Sequence, residues 1–244
     1  MLEGQIGSDG LGNPSADKEA ASLINKFDIR AMRYEDVPAL ANIVGRLWRF
    51  DRTDDQRNNL AAQVYFRRCM TQQNYVRVAV WDHQVVGAIL ADTKYQKKER
   101  SYDVWQLLVA KAALAVRPGG WQLLKQLNER SEIDERLLAN LQRREFLGEI
   151  VLLMVDPEYQ NLGIGRELMH TVATYWDAAP VDKVYLFTAV AGTDRFYRQH
   201  GFRESTHEQI DWQTAHQQRR LSGYLYTGHV HDLATDTAHH LLVD

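Results

Sequence analysis

EIVLLMVDPEYQNLGIGR, residues 149–166, reads as an apolar strand, a turn and a glycine-containing loop that opens a helix. Ile150 to Val155 is a continuous apolar run containing the β-branched Ile150, Val151 and Val155, and Asp156-Pro157 ends it. Pro157 lacks an N–H and disfavours helical geometry at Asp156, so strand pairing should stop there. Downstream, Ile164, Leu168, Val172 and Trp176 recur at helical spacing. Free N–H groups at a helix start, together with the helix dipole, suit an anion. Gly163 and Gly165 lack a Cβ that would keep such an anion off the backbone. A P-loop is excluded because Arg166-Glu167 follows Gly165, and a dinucleotide fingerprint is excluded by Leu168. Spacing alone leaves two readings, an anion cradle or a simple helix-starting turn.

Gln160-x-x-Gly163-x-Gly165 after an apolar strand resembles the acyl-CoA loop of the GNAT family, the Gcn5-related N-acetyltransferases. A second segment, Arg195-Phe-Tyr-Arg-Gln-His-Gly-Phe202, resembles that family's Phe-Tyr-x-x-x-Gly-Phe element. The resemblance is strongest over 149–203, softer over 28–92, and absent before 28 and in 93–147. It implies an α/β (α+β) fold: a central mixed, mostly antiparallel sheet flanked by helices. It also implies acetyl-CoA as cofactor and an amine as acceptor.

The resemblance further implies site residues. Gln160, Asn161, Leu162, Gly163, Ile164, Gly165 and Arg166 would hold the pyrophosphate. Main-chain groups of Leu153, Met154 and Val155 would pair with the pantetheine arm and supply an oxyanion donor. Glu149 resembles the general base of histone-acetylating members, with Asp51, Glu208 or an ordered water as substitutes. Tyr197 stands where the family has its tyrosine acid, and Phe196 reads as the better core residue of that pair. Trp48, Phe50, Asp51 and Asp54 border the segment that adjoins the acceptor pocket in the family. Many members carry an asparagine just after the fifth strand, where this chain has Thr188, Ala189 and Val190. The family also parts its two central strands with a bulge, which a sequence does not reveal.

The 244 residues are 45% hydrophobic and 25% charged, with a net charge of −3. That composition suits a globular domain with additions and offers no basic face for nucleic acid. No apolar run approaches the roughly 18–20 residues of a membrane span. Cys69 is the only cysteine, which excludes an intrachain disulfide and fits a cytoplasmic setting.

In chain order, residues 1–26 read as a flexible leader with a short helix at Lys18 to Asn25. The domain proper spans 27–230. Phe27 to Arg33 is a first strand, and Asp36 with Pro38 starts a helix carrying Leu40, Ile43, Val44 and Leu47. A second helix covers Arg57 to Met70. Tyr75 to Trp81 and Val85 to Asp92 form a hairpin, with Gly87 marking a bulge or a close backbone approach.

Residues 93–147 form a helical insertion between the third and fourth strands. Its stripe of Trp105, Leu107, Leu108, Ala112 and Leu114 breaks at Arg117 to Gly120 and resumes with Trp121, Leu124 and Leu127. It reads as a structural appendage, a wall over the acceptor site, or an oligomer interface that would make a homodimer. Asp182 to Ala189 is a strand, and a short helix capped by Thr193 or Asp194 ends at Gly201. Strands follow from Phe202 and over Ser222 to Val230. The tail 231–244 is polar. His229-x-His231 and His239-His240 could suggest a metal, but no carboxylate or Cys stands at ligand spacing with them, so a solvated tail is the expectation.

Overall fold

The computed structural model describes residues 27–94, 101–139, 141, 145–188, 194–213 and 218–233. The leader, Ala189, Val190, Thr193 and His239-His240 lie outside them. The seven strands are β1 (Phe27–Ala31), β2 (Tyr75–Trp81), β3 (Gln84–Thr93), β4 (Phe146–Val155), β5 (Lys183–Thr188), β6 (Arg203–Gln213) and β7 (Gln218–His229). They form one sheet in the order β1-β2-β3-β4-β5-β7-β6. Every pair is antiparallel except β4 with β5.

Helix α1 (Val37–Trp48) and helix α2 (Asp55–Gln72) cover one face. Leu40, Ile43 and Val44 of α1 and Phe66 and Met70 of α2 pack on Val78, Leu90, Leu152 and Met154. The other face is covered by helix α5 (Ile164–Asp177), whose Leu168, Val172 and Trp176 are fully buried against Ile150 and Val184. Both apolar stripes follow the 3.6-residue period expected of helices packed on a sheet. The two-residue turn at Asp82-His83 joins β2 to β3 with both residues at positive φ, the geometry of a type I′ hairpin. Gly87 meets both expectations for it. Val86 is the extra residue of a bulge opposite Ala79 and Val80, and a Cβ at Gly87 would lie 2.9 Å from the Met154 carbonyl oxygen.

Asp36 precedes α1 but does not cap it. Its buried carboxylate accepts from the Arg33 N–H at 2.7 Å and from the Arg30 guanidinium at 2.7 and 2.8 Å. That pairing holds Asp36 below the usual carboxylate range despite its burial.

Helix α3 (Ser101–Ala115) and helix α4 (Gly120–Ala139) lie between β3 and β4 in the chain. Ala110 and Leu114 of α3 and Leu123, Leu124 and Leu127 of α4 pack on Ala61 and Val64 of α2. Further along α4, Leu137 packs on Tyr185 and Leu225 of the sheet. The stripe expected from sequence is not all core: Trp105 is 61% and Trp121 74% exposed. Helix α6 (Asp194–Gln199) ends at Gly201, whose φ of +77° and bonds from Phe202 N to Tyr197 O make it the left-handed helix stop the sequence implies. After β7, residues 230–233 form a helical turn, and Val230 and Leu233 are buried in the core. The chain is therefore packed slightly past the expected start of the tail.

Candidate active site

The central strand carries a bulge. Leu90 of β3 pairs with Leu152, whereas Ala91 pairs with Ile150, leaving Val151 as an extra residue. Val151 and Leu152 consequently both face the α1–α2 side, while Ile150 and Leu153 pack on the α5 side. Pairing with β5 stops at Ile150 opposite Leu186, so among the described residues the remainder of β4 has no strand beside it on that edge. The Asp156 N–H donates to Val86 O of β3 at 2.8 Å. By strand alternation, the main-chain groups of Val155 and Leu153 then face the open edge, while those of Met154 face β3. Of the three main-chain candidates, Leu153 and Val155 face the gap. Met154 does not, and its side chain is core.

The loop after β4 is built for exposed N–H groups. Asn161 and Gly163 both lie in the left-handed region, at φ +63° and +81°. Alternation of this kind turns successive N–H groups to one side, and α5 begins directly after Gly163. A Cβ on Gly163 would meet nothing within 4 Å, whereas one on Gly165 would lie 3.4 Å from the Phe196 ring. The two glycines thus have separate reasons: backbone conformation at Gly163, and contact with α6 at Gly165. The Ile164 side chain is buried, so only its main chain is available. Gln160 and Arg166 are exposed, and the Gln160 amide donates to Val155 O at 3.2 Å. The loop entrance is braced by Asp156, which is buried, accepts from Glu158 N and pairs with Arg46 of α1.

Glu149 sits where β4 and β5 are still paired, opposite Tyr185 in register. The Tyr185 hydroxyl donates to its carboxylate at 2.7 Å. Loss of water around the carboxyl pushes its pKa up to about 7. The Tyr185 bond opposes that shift, and the negative charges of Asp92 and Asp134 reinforce it. Asp92 is its register partner on β3, and Asp134 comes from α4. A carboxylate poised near neutrality is suited to take a proton and release it again.

Tyr197 is placed differently from its sequence reading. It is the buried member of the pair, 7% exposed, and its ring packs among Phe196, Phe202 and Tyr226. Phe196 is only partly buried and lies beside Gly165. On a helix this short, positions 197 and 200 face inward together, and both are buried. Burial pushes the Tyr197 hydroxyl up to about 12. It belongs to the α5-side core, whereas Glu149 is bonded to Tyr185, which packs on the α4 side.

The acidic candidates before α2 have structural partners. Asp54 caps α2, accepting from Arg57 N at 3.0 Å. Asp51 accepts from Thr53 and Asp54 N–H groups and from Arg57 Nε at 2.6 Å, and Arg57 also donates to Pro118 O in the α3–α4 turn. Glu208, the other substitute base, pairs with Arg136 of α4 at 3.2 Å. The rings of Trp48 and Phe50 pack at a tilt against Tyr65 of α2. The indole N–H of Trp48 is buried without a hydrogen-bond partner. Sequence reading missed Tyr185, Asp92 and Asp134. Tyr185 was within reach only once the pairing register of β4 with β5 was known.

Residues 132–204 match a family described as an acetyltransferase (GNAT) domain. No curated protein matches the chain in sequence. Among solved structures, the ribosomal-protein-S18-alanine N-acetyltransferase from Escherichia coli is similar, with a TM-score of 0.50 and 13% identity over 84% of this chain and 94% of that one. SsHAT is similar with a TM-score of 0.52 and 18% identity over 84% of this chain and 98% of that one. At those identities the likeness is one of fold. The matched segment spans β4, the glycine loop and α6, and the fold around it is that of the GNAT acetyltransferases.

Proposed function

We propose that the protein is an N-acetyltransferase that moves the acetyl group to a primary amine of a small molecule or peptide, by direct attack within a ternary complex. Acetyl-CoA supplies a thioester carbonyl open to attack. The observation that carries the reading is the Glu149 carboxyl, poised near neutrality at the point where β4 and β5 part. A free alkylamine, with a pKa near about 10, arrives protonated and must lose a proton before it attacks. Glu149 takes that proton directly or through water. The loop from Gln160 to Arg166 holds the diphosphate on main-chain N–H groups. The Leu153 and Val155 main-chain groups pair with the pantetheine arm, and one of their N–H groups stabilises the oxyanion. Tyr197 donates a proton or a hydrogen bond to the departing sulfur.

Helix α4 acts as a wall of the acceptor site, because it passes from α2 to β5 and β7 and brings Asp134 toward Glu149. Asp92, Asp134 and Glu149 together favour a cationic acceptor over an anionic one. Release of CoA thiol with a panel of amines, followed by mass analysis of the products, tests the reading. Acetylated amine with stoichiometric thiol is the expected result. Acetyl-CoA binding with no product from any amine would instead mark a non-catalytic CoA-binding module with partner-binding helices. Competition among CoA thioesters separates acetyl from longer acyl donors.

A further inference from the structure

Two histidines at the end of β7 and an aspartate just before β5 converge where β5 begins. We propose that Asp182, His229 and His231 bind one divalent transition-metal ion of the zinc class, a site independent of the acetyltransferase reading. Their ligand atoms all lie within 4.8 Å of one another. His229 Nδ1 already stands 3.1 Å from Asp182 Oδ1, close to the roughly 3.3 Å edge of a tetrahedron with ligands at about 2.0–2.1 Å. The two imidazole rings are 5.5 Å apart, a separation that small side-chain rotations close onto a shared ion. His231 Nε2 also approaches Asp232 Oδ1 at 2.9 Å, so His231 would bind through Nδ1 or exchange that contact for the ion.

The backbone beneath the three side chains is held firmly. Val230 N donates to Asp182 O at 2.9 Å, and His229 pairs with Lys183 at the last rung of β5 and β7. Val230 and Leu233 flank His231 and are buried, which anchors the helical turn that carries it. Asp177, Val181, Asp182, Val230 and His231 line a recess of about 410 Å³. Water in that recess, or the Asp177 carboxylate, can complete the ion's shell. Two imidazoles and a carboxylate suit zinc or its first-row neighbours better than magnesium or calcium, which prefer oxygen alone. Sequence order hides the group, because Asp182 stands a whole β6–β7 hairpin away from the histidines. At the start of β5, the ion would tie the β5–β7 edge of the sheet together.

Isothermal titration of the tag-free full chain with zinc chloride tests the proposal, with cobalt(II) absorption as an independent readout. One ion per chain at low-micromolar Kd is expected, together with a tetrahedral cobalt band and a higher Tm in zinc. D182A and H231A should each weaken binding at least tenfold, with circular dichroism confirming that each variant is folded. H239A H240A should bind like wild type. Absence of zinc binding to wild type, or equal affinity in H229A H231A, overturns the proposal. So does loss of binding in H239A H240A alone.

Discussion

The Tyr185 hydroxyl donates a 2.7 Å hydrogen bond to the Glu149 carboxylate from the facing position of a parallel strand. The bond favours the charged carboxylate, while desolvation and the nearby Asp92 and Asp134 favour the neutral acid, and the balance sits at about 7. Removing the bond shifts that balance upward. In Tyr185→Phe, the acid limb of the kcat–pH profile should move up by about one to two units, given roughly 1.5–3 kcal/mol for a charge-assisted bond. An unmoved limb would mean that Glu149 is not the group being titrated.

Glu149→Gln removes the proton acceptor and keeps the shape. Turnover should fall by about 10²–10⁴-fold, while the acetyl-CoA Kd measured calorimetrically stays within about twofold. A fall in affinity as large as the fall in turnover would place Glu149 in cofactor binding instead.

The same substitution should change stability with a definite sign. The folded-state pKa, about 7, lies above the ordinary glutamate value of 4.5. The wild-type carboxyl therefore contributes its full stability below about pH 4.5 and loses it as pH rises through 7. Chemical denaturation should find Glu149→Gln close to wild type at pH 5 and more stable at pH 8, by about 1–3 kcal/mol.

Gly163→Val places a stiff side chain where φ is +81° and where the Cβ direction is open. Backbone strain of about 1–2 kcal/mol is expected, with CoA affinity reduced at least tenfold because the N–H groups are re-aimed. Gly165→Trp should also abolish binding, but it additionally drives into Phe196. Undiminished affinity in the folded Gly163→Val protein would remove the loop from the cofactor site.

Tyr197→Phe separates chemistry from packing at a position that is both buried and aromatic. Turnover should drop about tenfold with Tm and CoA affinity nearly unchanged. Because burial holds the hydroxyl up to about 12, no alkaline limb should appear below about pH 10 in wild type. Full turnover in the variant would assign Tyr197 to the core alone.

Much of this arrangement could be read from local signals. The apolar run before Asp156-Pro157, the Gly163-x-Gly165 loop and the period of α5 each depend on neighbours within a few residues, and each element formed, although β4 begins earlier than expected, at Phe146 instead of Glu149. The Gly201 stop was equally local. The bulge at Val151 was not legible, because every residue nearby is apolar and either register buries an apolar set. The partners of Glu149 come from β3, α4 and β5, so they depend on tertiary pairing. Asp51 and Asp54 looked available in the sequence, yet turn and cap geometry engaged both. The α3 stripe announced a helix but not which face meets α2, and Trp105 ended on the outside.

Past Ile150, the β4 edge that faces away from β3 has no strand beside it among the described residues, and the Gln160 amide caps it at Val155 O. A thioester arm laid along it completes the sheet as an eighth, borrowed strand, so occupancy feeds directly into cohesion of the whole fold. Loaded protein should therefore exchange the amide hydrogens of Leu153 and Val155 far more slowly than empty protein, with slower exchange spreading to β5.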